Sequence, residues 1–254
     1  PYTTLFRSLR EIGGEKMRKS KIICIDIETT GLDRNNDEIL QVSIINGRGK
    51  TLYNSYIKPD YTTEWKEAEA INKISWDCVK FAPGILTEKR RIDKILRKAG
   101  LIIGYNHKGF DLPFLAAKGI DTAVKAKIYD VMLEFAYIAG EYNEKHNSYK
   151  WKPLTYCAKY YGYTDYKAHD ALEDVRATLH CYYAMKKDRR GQKIIAQRKQ
   201  KERERLKKSI KEANRSAEQA IHDIECERSK ARADYNVQSG AEIVKEAREK
   251  AGLL

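Results

Sequence analysis

The chain has 254 residues and a formal net charge of +13, a length that suits one domain with an appendage. No segment approaches the roughly 18 consecutive apolar residues of a membrane-spanning helix, so the sequence predicts no membrane association. The five cysteines are scattered and lack the paired spacing of a zinc site. Their odd number also argues against a disulfide framework and favours a reducing compartment.

Residues 1–16 have neither helical nor strand periodicity and lack the layout of a signal peptide. PYTTLFRS resembles the translation of a sequencing-adapter sequence, and GGEK before Met17 resembles a translated ribosome-binding site. We therefore expect a non-native leader over 1–16 and a natural start at Met17. The same reasoning predicts a bacterial or phage gene with a cytoplasmic product.

The predicted elements begin with three short strands over 21–27, 38–46 and 50–58, rich in β-branched and aromatic residues. Further strands are predicted over 101–105 and 127–130, and a polar loop over 141–150. Helices are predicted over 64–72, 87–98, 111–119, 131–139, 152–162 and 171–186. Strands that first follow one another and then alternate with helices predict an α/β fold with a mixed sheet.

The chain after residue 187 is charged and predicted to be a long helix or a coiled-coil-like tail. Residues 186–215 hold 14 Lys/Arg against 4 Asp/Glu, a basic block that favours a polyanionic partner such as nucleic acid over a merely solvated helix face. Apolar and small residues recur at near-heptad spacing, but Glu227 and Arg228 interrupt them. The tail therefore either oligomerises weakly or forms a helix that frays.

Carboxylates recur at positions where they are costly or unusual. Asp26 and Glu28 lie two residues apart near the end of the apolar run KIICIDIETTG, so they share one face of a strand. Asp111 opens a predicted helix, where an N-cap is the ordinary role. In HDALEDV, His169 and Asp174 are five residues apart, and residues at that spacing diverge on a helix. His169 must therefore precede the helix if it is to act beside Asp174. Asp170 is the natural N-cap of this helix.

In this order, these segments resemble the DEDD superfamily of 3′→5′ exonucleases, in its histidine-bearing branch. The resemblance covers about residues 20–186 and includes YIKPD, EAEAINKIS, IIGYN and FDLPFL. It implies a ribonuclease-H-like fold, in which a mixed five-stranded sheet is flanked by helices. It therefore predicts an exonuclease domain over 17–186, followed by a basic helical tail over 187–254.

The resemblance also implies roles for particular residues. The metal-binding acids would be Asp26, Glu28, Asp111 and Asp174, with His169 as the general base. Asn106 would lie near the substrate, and Tyr105 is a candidate for base stacking. The segment that holds the terminal nucleotide would be Thr29, Thr30, Gly31 and Leu32. Asp130 and the histidines at 107, 146, 180 and 222 are interpreted as structural or surface residues.

Four converging carboxylates repel each other, and hard divalent cations remove that conflict. The expected cofactors are two Mg²⁺ or Mn²⁺ ions, which would clamp the attacking and leaving oxygens of a phosphodiester. The expected activity removes nucleoside 5′-monophosphates from 3′ ends of single-stranded DNA, with a DNA polymerase as a possible partner. An RNA-trimming enzyme like ribonuclease T and a non-catalytic module that tethers nucleic acid through the tail remain alternatives.

Overall fold

The computed structural model describes residues 18–250, except for the side chains of 231 and 233–239. The expected leader over 1–16 lies outside the described residues. The chain divides into two compact units, with the boundary after Ala196. Among the residues described, no helix is both long enough and apolar enough to cross a membrane.

A five-stranded mixed sheet forms the centre of the first unit, as predicted. Its strands are β1 (Ile22–Thr29), β2 (Ile39–Asn46), β3 (Thr51–Tyr56), β4 (Leu101–Gly104) and β5 (Lys127–Asp130). Their order is β3-β2-β1-β4-β5, so β1 is central. The first three strands form an antiparallel meander, whereas β4 pairs in parallel with both β1 and β5.

Helices cover both faces of the sheet. They are α1 (Lys66–Asn72), α2 (Trp76–Val79), α3 (Ile85–Lys98), α4 (Asp111–Ala117), α5 (Val131–Ala139), α6 (Leu154–Tyr160) and α7 (Ala171–Lys187). The side chains of β1 alternate between the two faces of the sheet and so contribute to two separate core clusters. Ile23, Ile25 and Ile27 pack in one core cluster with α3 and α4, whereas Ile22 and Cys24 pack in another with α5, α6 and α7.

Two local predictions were wrong. The polar segment 141–150 contains a small hairpin of β6 (Tyr142–Asn143) and β7 (Ser148–Tyr149) instead of a simple loop. Strands of two residues are too short to show alternation, so the pattern could not reveal them. Asp111 is the first residue of α4 and not its cap; Phe110 occupies the cap position without a side-chain hydrogen bond.

A long helix, α8 (Arg189–Lys250), ends the described chain. Its first turns belong to the globular unit, since Ile195 is buried in the core cluster around α7. In the second unit three apolar residues of the near-heptad seam, Leu206, Ile210 and Ile224, are more than half exposed. Oligomerisation through this seam therefore remains a prediction.

Candidate active site

Asp26 and Glu28 lie on the second half of the central strand. Side chains two residues apart on a strand share one face of the sheet, so Asp26 and Glu28 lie on the same face as Ile22 and Cys24. This is the face covered by α7. Both are partly buried. The pairing register of β1 with β2 shifts between Glu28 and Thr29, so the regular ladder is interrupted directly after the second acid.

Asp111 approaches the same strand from the start of α4. Its carboxylate Oδ1 accepts a hydrogen bond from the backbone N–H of Ile27 at 3.0 Å, and the residue is 3% exposed. This contact explains why Asp111 does not cap its own helix: one of its oxygens is engaged by β1. The residue between Asp26 and Glu28 therefore fixes Asp111 beside both of them.

His169 and Asp174 complete the arrangement at the start of α7. Asp170 caps this helix by accepting from the N–H groups of Leu172 and Glu173, as predicted. His169 precedes the helix in a left-handed conformation, with φ of 65°, and its N–H donates to Asp174 Oδ2 at 3.0 Å. Potential ligand atoms of Glu28, His169 and Asp174 lie within 4.8 Å of one another.

The acidic groups strongly influence one another. Burial raises the pKa of Asp26 well above its usual value, and the charges of Asp111, Asp174 and Glu28 raise it further. Burial, Asp174 and Asp111 raise the pKa of Glu28 to about 8. Burial likewise raises the pKa of Asp111 and of Asp174 to about 7 in each case. Such a group would bind protons near neutral pH unless another cation neutralised it.

This donor set fits a hard divalent cation. The oxygen ligands come from separate elements, β1, α4 and α7, which a metal can join, and carboxylates are the ligands that Mg²⁺ and Mn²⁺ prefer. The imidazole of the exposed His169 lies beside the carboxylates of Glu28 and Asp174. A histidine at the edge of an acidic site can exchange protons with solvent, which suits a general base better than a buried ligand.

The segment after β1 is a closed turn. Thr29 Oγ1 donates to the Gly31 carbonyl at 2.6 Å, and Thr30 Oγ1 donates to Asp37 at 3.2 Å. A side chain on Gly31 would overlap the carboxylate of Asp37. Leu32 is 86% exposed. Both threonine hydroxyls are thus used to hold the turn, whereas the apolar side chain of Leu32 is exposed to solvent.

Asn106 lies on the loop between β4 and α4. It has a φ of 62°, and its N–H donates to Asp130 at 3.0 Å. Tyr105 donates its hydroxyl to the Lys152 carbonyl at 2.6 Å and packs against the core, which favours a structural role for this tyrosine over base stacking.

Two buried residues, His107 and Asn72, support this loop and the acid of the strand, and the sequence did not show their positions. His107 is fully buried, with Nδ1 3.4 Å from the Asp130 carboxylate, consistent with a structural role. Asn72 is buried at the end of α1, donates to the Thr29 carbonyl at 3.2 Å and lowers the pKa of Glu28 by a hydrogen bond. In the sequence, the only indication of this role of Asn72 was its place in the segment EAEAINKIS.

The sheet order and the acids gathered at its central strand define a nuclease with a ribonuclease-H-like fold. The chain belongs to the exonuclease family (RNase T), whose profile matches residues 23–182. That match covers most of the globular unit and includes all five of the predicted catalytic residues.

Solved structures of E. coli exonuclease I share the fold. The zinc-bound complex with single-stranded DNA aligns with a TM-score of 0.54 at 19% identity, covering 69% of this chain and 42% of that one. The ExoI/SSB-Ct complex aligns with a TM-score of 0.53 at 19% identity, covering 70% of this chain and 43% of that one. This chain therefore spans less than half of exonuclease I.

A curated relative has a different named substrate. RNA exonuclease 4 from Gibberella zeae is 32% identical over 97 residues, which is 37% of this chain and 30% of that protein. The comparisons thus include proteins named for DNA and for RNA, and neither is covered over most of its length.

Proposed function

We propose that this protein is a metal-dependent 3′→5′ exonuclease that releases nucleoside 5′-monophosphates from single-stranded DNA. The observation that carries the proposal is the cluster of Glu28, His169 and Asp174, with ligand atoms within 4.8 Å of one another, beside Asp26 and Asp111. Membership of the exonuclease family supports it.

In this proposal the four acids hold two Mg²⁺ or Mn²⁺ ions. When bound, such ions supply positive charge for the phosphodiester oxygens and lower the pKa of water. The backbone N–H of His169 donates to Asp174, which fixes the backbone of His169. The imidazole of His169 accepts a proton from the attacking water as the water oxygen bonds to phosphorus and the bond from phosphorus to the 3′ oxygen breaks. The leaving 3′ oxygen takes up a proton from solvent, so the products are a 5′-monophosphate and a strand with a new 3′-hydroxyl.

The substrate strand would enter between the turn after β1 and the loop after β4. Leu32, 86% exposed, offers an apolar surface for the terminal base, with Thr29, Thr30 and Gly31 shaping the turn beneath it. Asn106 offers a polar side chain from the opposite loop. This arrangement would hold the 3′ terminal nucleotide next to the acids of β1.

DNA is the first choice of substrate because exonuclease I, which shares the fold, has been solved with single-stranded DNA. The RNA alternative has one specific observation in its favour, the curated relative named as an RNA exonuclease. A polymerase partner and a cytoplasmic location in a bacterial or phage-infected cell are further predictions.

We assign the basic segment 186–215 to phosphate contacts that raise affinity or processivity. It carries 14 Lys/Arg against 4 Asp/Glu, and its helix exposes nearly all of the side chains described after residue 196. Each phosphate contact releases counterions, so binding should weaken steeply with salt, and deletion of the tail should flatten this dependence. An unchanged slope would reject this role.

The first experiment compares residues 17–254 with the Asp26→Ala variant on 5′-labelled DNA and RNA of matched sequence, with and without Mg²⁺ or Mn²⁺. We expect a metal-dependent ladder shortening from the 3′ end of DNA, absent in the variant. Faster RNA digestion would select the alternative substrate. Failure to digest either nucleic acid, with binding retained, would instead indicate a tethering module that acts through the tail.

A further inference from the structure

An exposed aromatic surface lies beside the loop that carries Asn106. Trp151 is 63% exposed, and Tyr156 and Tyr160 on α6 are 49% and 55% exposed. The two tyrosines are four residues apart, so they lie on one side of the helix. We call Trp151, Tyr156 and Tyr160 the aromatic strip.

The hairpin fixes the position of Trp151. The N–H of Lys150 donates to the Glu141 carbonyl at 2.7 Å, and Tyr142 packs edge-on against Tyr149 with ring centroids 5.0 Å apart. On the other side, Lys152 pairs with the Glu141 carboxylate at 2.5 Å. Trp151 is therefore held between two anchored residues although its own side chain faces solvent.

A hydrogen bond joins the residue after Trp151 to the loop that carries Asn106. The Tyr105 hydroxyl donates to the carbonyl of Lys152 at 2.6 Å, and the residue after Tyr105 is Asn106. The ammonium of Lys152 also lies 5.3 Å from the centre of the Tyr156 ring. The end of the hairpin, the start of α6 and the loop after β4 thus lie next to one another.

The positive charge of this surface favours an anionic partner. Lys150 and Lys159 are exposed beside the strip; Glu141 pairs with both Lys152 and Lys150, so one carboxylate faces two lysines and the local charge stays positive. Aromatic faces interleaved with lysines bind single-stranded nucleic acid, since every base can stack and every phosphate is anionic. Core packing explains only part of the strip: Phe135 contacts the rings of Tyr156 and Tyr160 but does not cover them.

We propose that the aromatic strip stacks unpaired bases of the substrate strand, upstream of its 3′ terminal nucleotide. The inference rests on the proposed exonuclease function and names a second contact region for the same strand. It would let the enzyme hold a strand after each terminal nucleotide has been released.

Tryptophan fluorescence tests the inference directly. Of the three tryptophans, Trp65 is buried and Trp76 is partly buried, so quenching by a base should come mainly from Trp151. The full chain with Asp26→Asn, titrated with oligothymidylate in EDTA, should show quenching that Trp151→Phe removes with little loss of affinity. Trp151→Leu should weaken binding by about tenfold, the cost of one stacked base.

Phe81→Leu is the matched control, because Phe81 is 91% exposed and has Lys80 over its ring but lies on a different part of the chain. It should bind like the parent. Unchanged affinity of Trp151→Leu, or quenching that persists in Trp151→Phe, would overturn the inference. Failure of the wild-type chain to digest any nucleic acid would instead reject the proposed function, so the two failures are distinguishable.

Discussion

Replacing Glu28 by glutamine should inactivate the enzyme and stabilise the metal-free protein at alkaline pH. The two side chains have nearly the same shape, so the change mainly removes a charge. In the folded protein burial, Asp174 and Asp111 raise the pKa of Glu28 from 4.5 to about 8. Its ionised form is therefore disfavoured, and the fold is less stable wherever Glu28 must ionise.

The linkage between protonation and folding gives the sign and the size of this change in the free energy of unfolding. Between pH 4.5 and about 8 the folded state binds more protons at this group than the unfolded state, so stability falls as pH rises through this window. At about 1.4 kcal/mol per pKa unit, the penalty at Glu28 is about 1 kcal/mol at pH 5 and about 4 kcal/mol at pH 8, as an upper limit. Glutamine removes it, since an amide does not ionise.

Thermal unfolding in EDTA, followed by circular dichroism at both pH values, measures this difference. Glu28→Gln should raise Tm by up to about 8–16 °C at pH 8 and by much less at pH 5. Added Mg²⁺ should stabilise the parent more than the variant. Glu67→Gln, at an exposed position on α1, is the control and should show no such pH dependence. An equal effect of Glu28→Gln at both pH values, or lower stability at pH 8, would refute the reasoning.

Three further substitutions probe the residues around the acids. His169→Gln should lower kcat by about 10²–10⁴ and leave the affinity for oligothymidylate unchanged; a loss of affinity equal to the loss of rate would contradict its role as a base. Asn72→Ala removes the hydrogen bond that lowers the pKa of Glu28, so the metal-dependent activity should require higher pH, and an unchanged pH profile would exclude this coupling. His107→Leu removes one of several partners of Asp130 and should lower the free energy of unfolding in urea by about 1–3 kcal/mol, whereas an unaltered midpoint would show that this buried pair contributes little.

The sheet was predictable because its signals are local. Ile23, Ile25 and Ile27 alternate with Cys24 and Asp26, and this period assigns both core faces and the face of the acids before any contact is known. The start of α7 was equally readable, since Asp170 has a capping side chain at the right position. In both cases a few neighbouring residues determine the structure.

The supporting contacts were not predictable because they join distant parts of the chain. Asn72 meets the Thr29 carbonyl across 43 residues of sequence, and Asp111 meets Ile27 across 84. The position of Asp111 at the start of a helix suggested an N-cap. Only the packing of α4 against β1 shows that its carboxylate bonds to the backbone of β1 instead. Pairings of this kind depend on the completed fold, which a single sequence does not display.

The parts of the site are spread widely along the chain. Asp26 lies on the first strand, Asp111 opens α4 after the fourth strand, and Asp174 lies on the last helix before the tail. A chain still emerging from the ribosome has the first acids long before the last. Because domains fold as units, a nascent or prematurely terminated product lacking α7 would carry no complete acidic site. A product terminated before α7 would therefore retain Asp26, Glu28 and Asp111 but lack Asp174 of the candidate site.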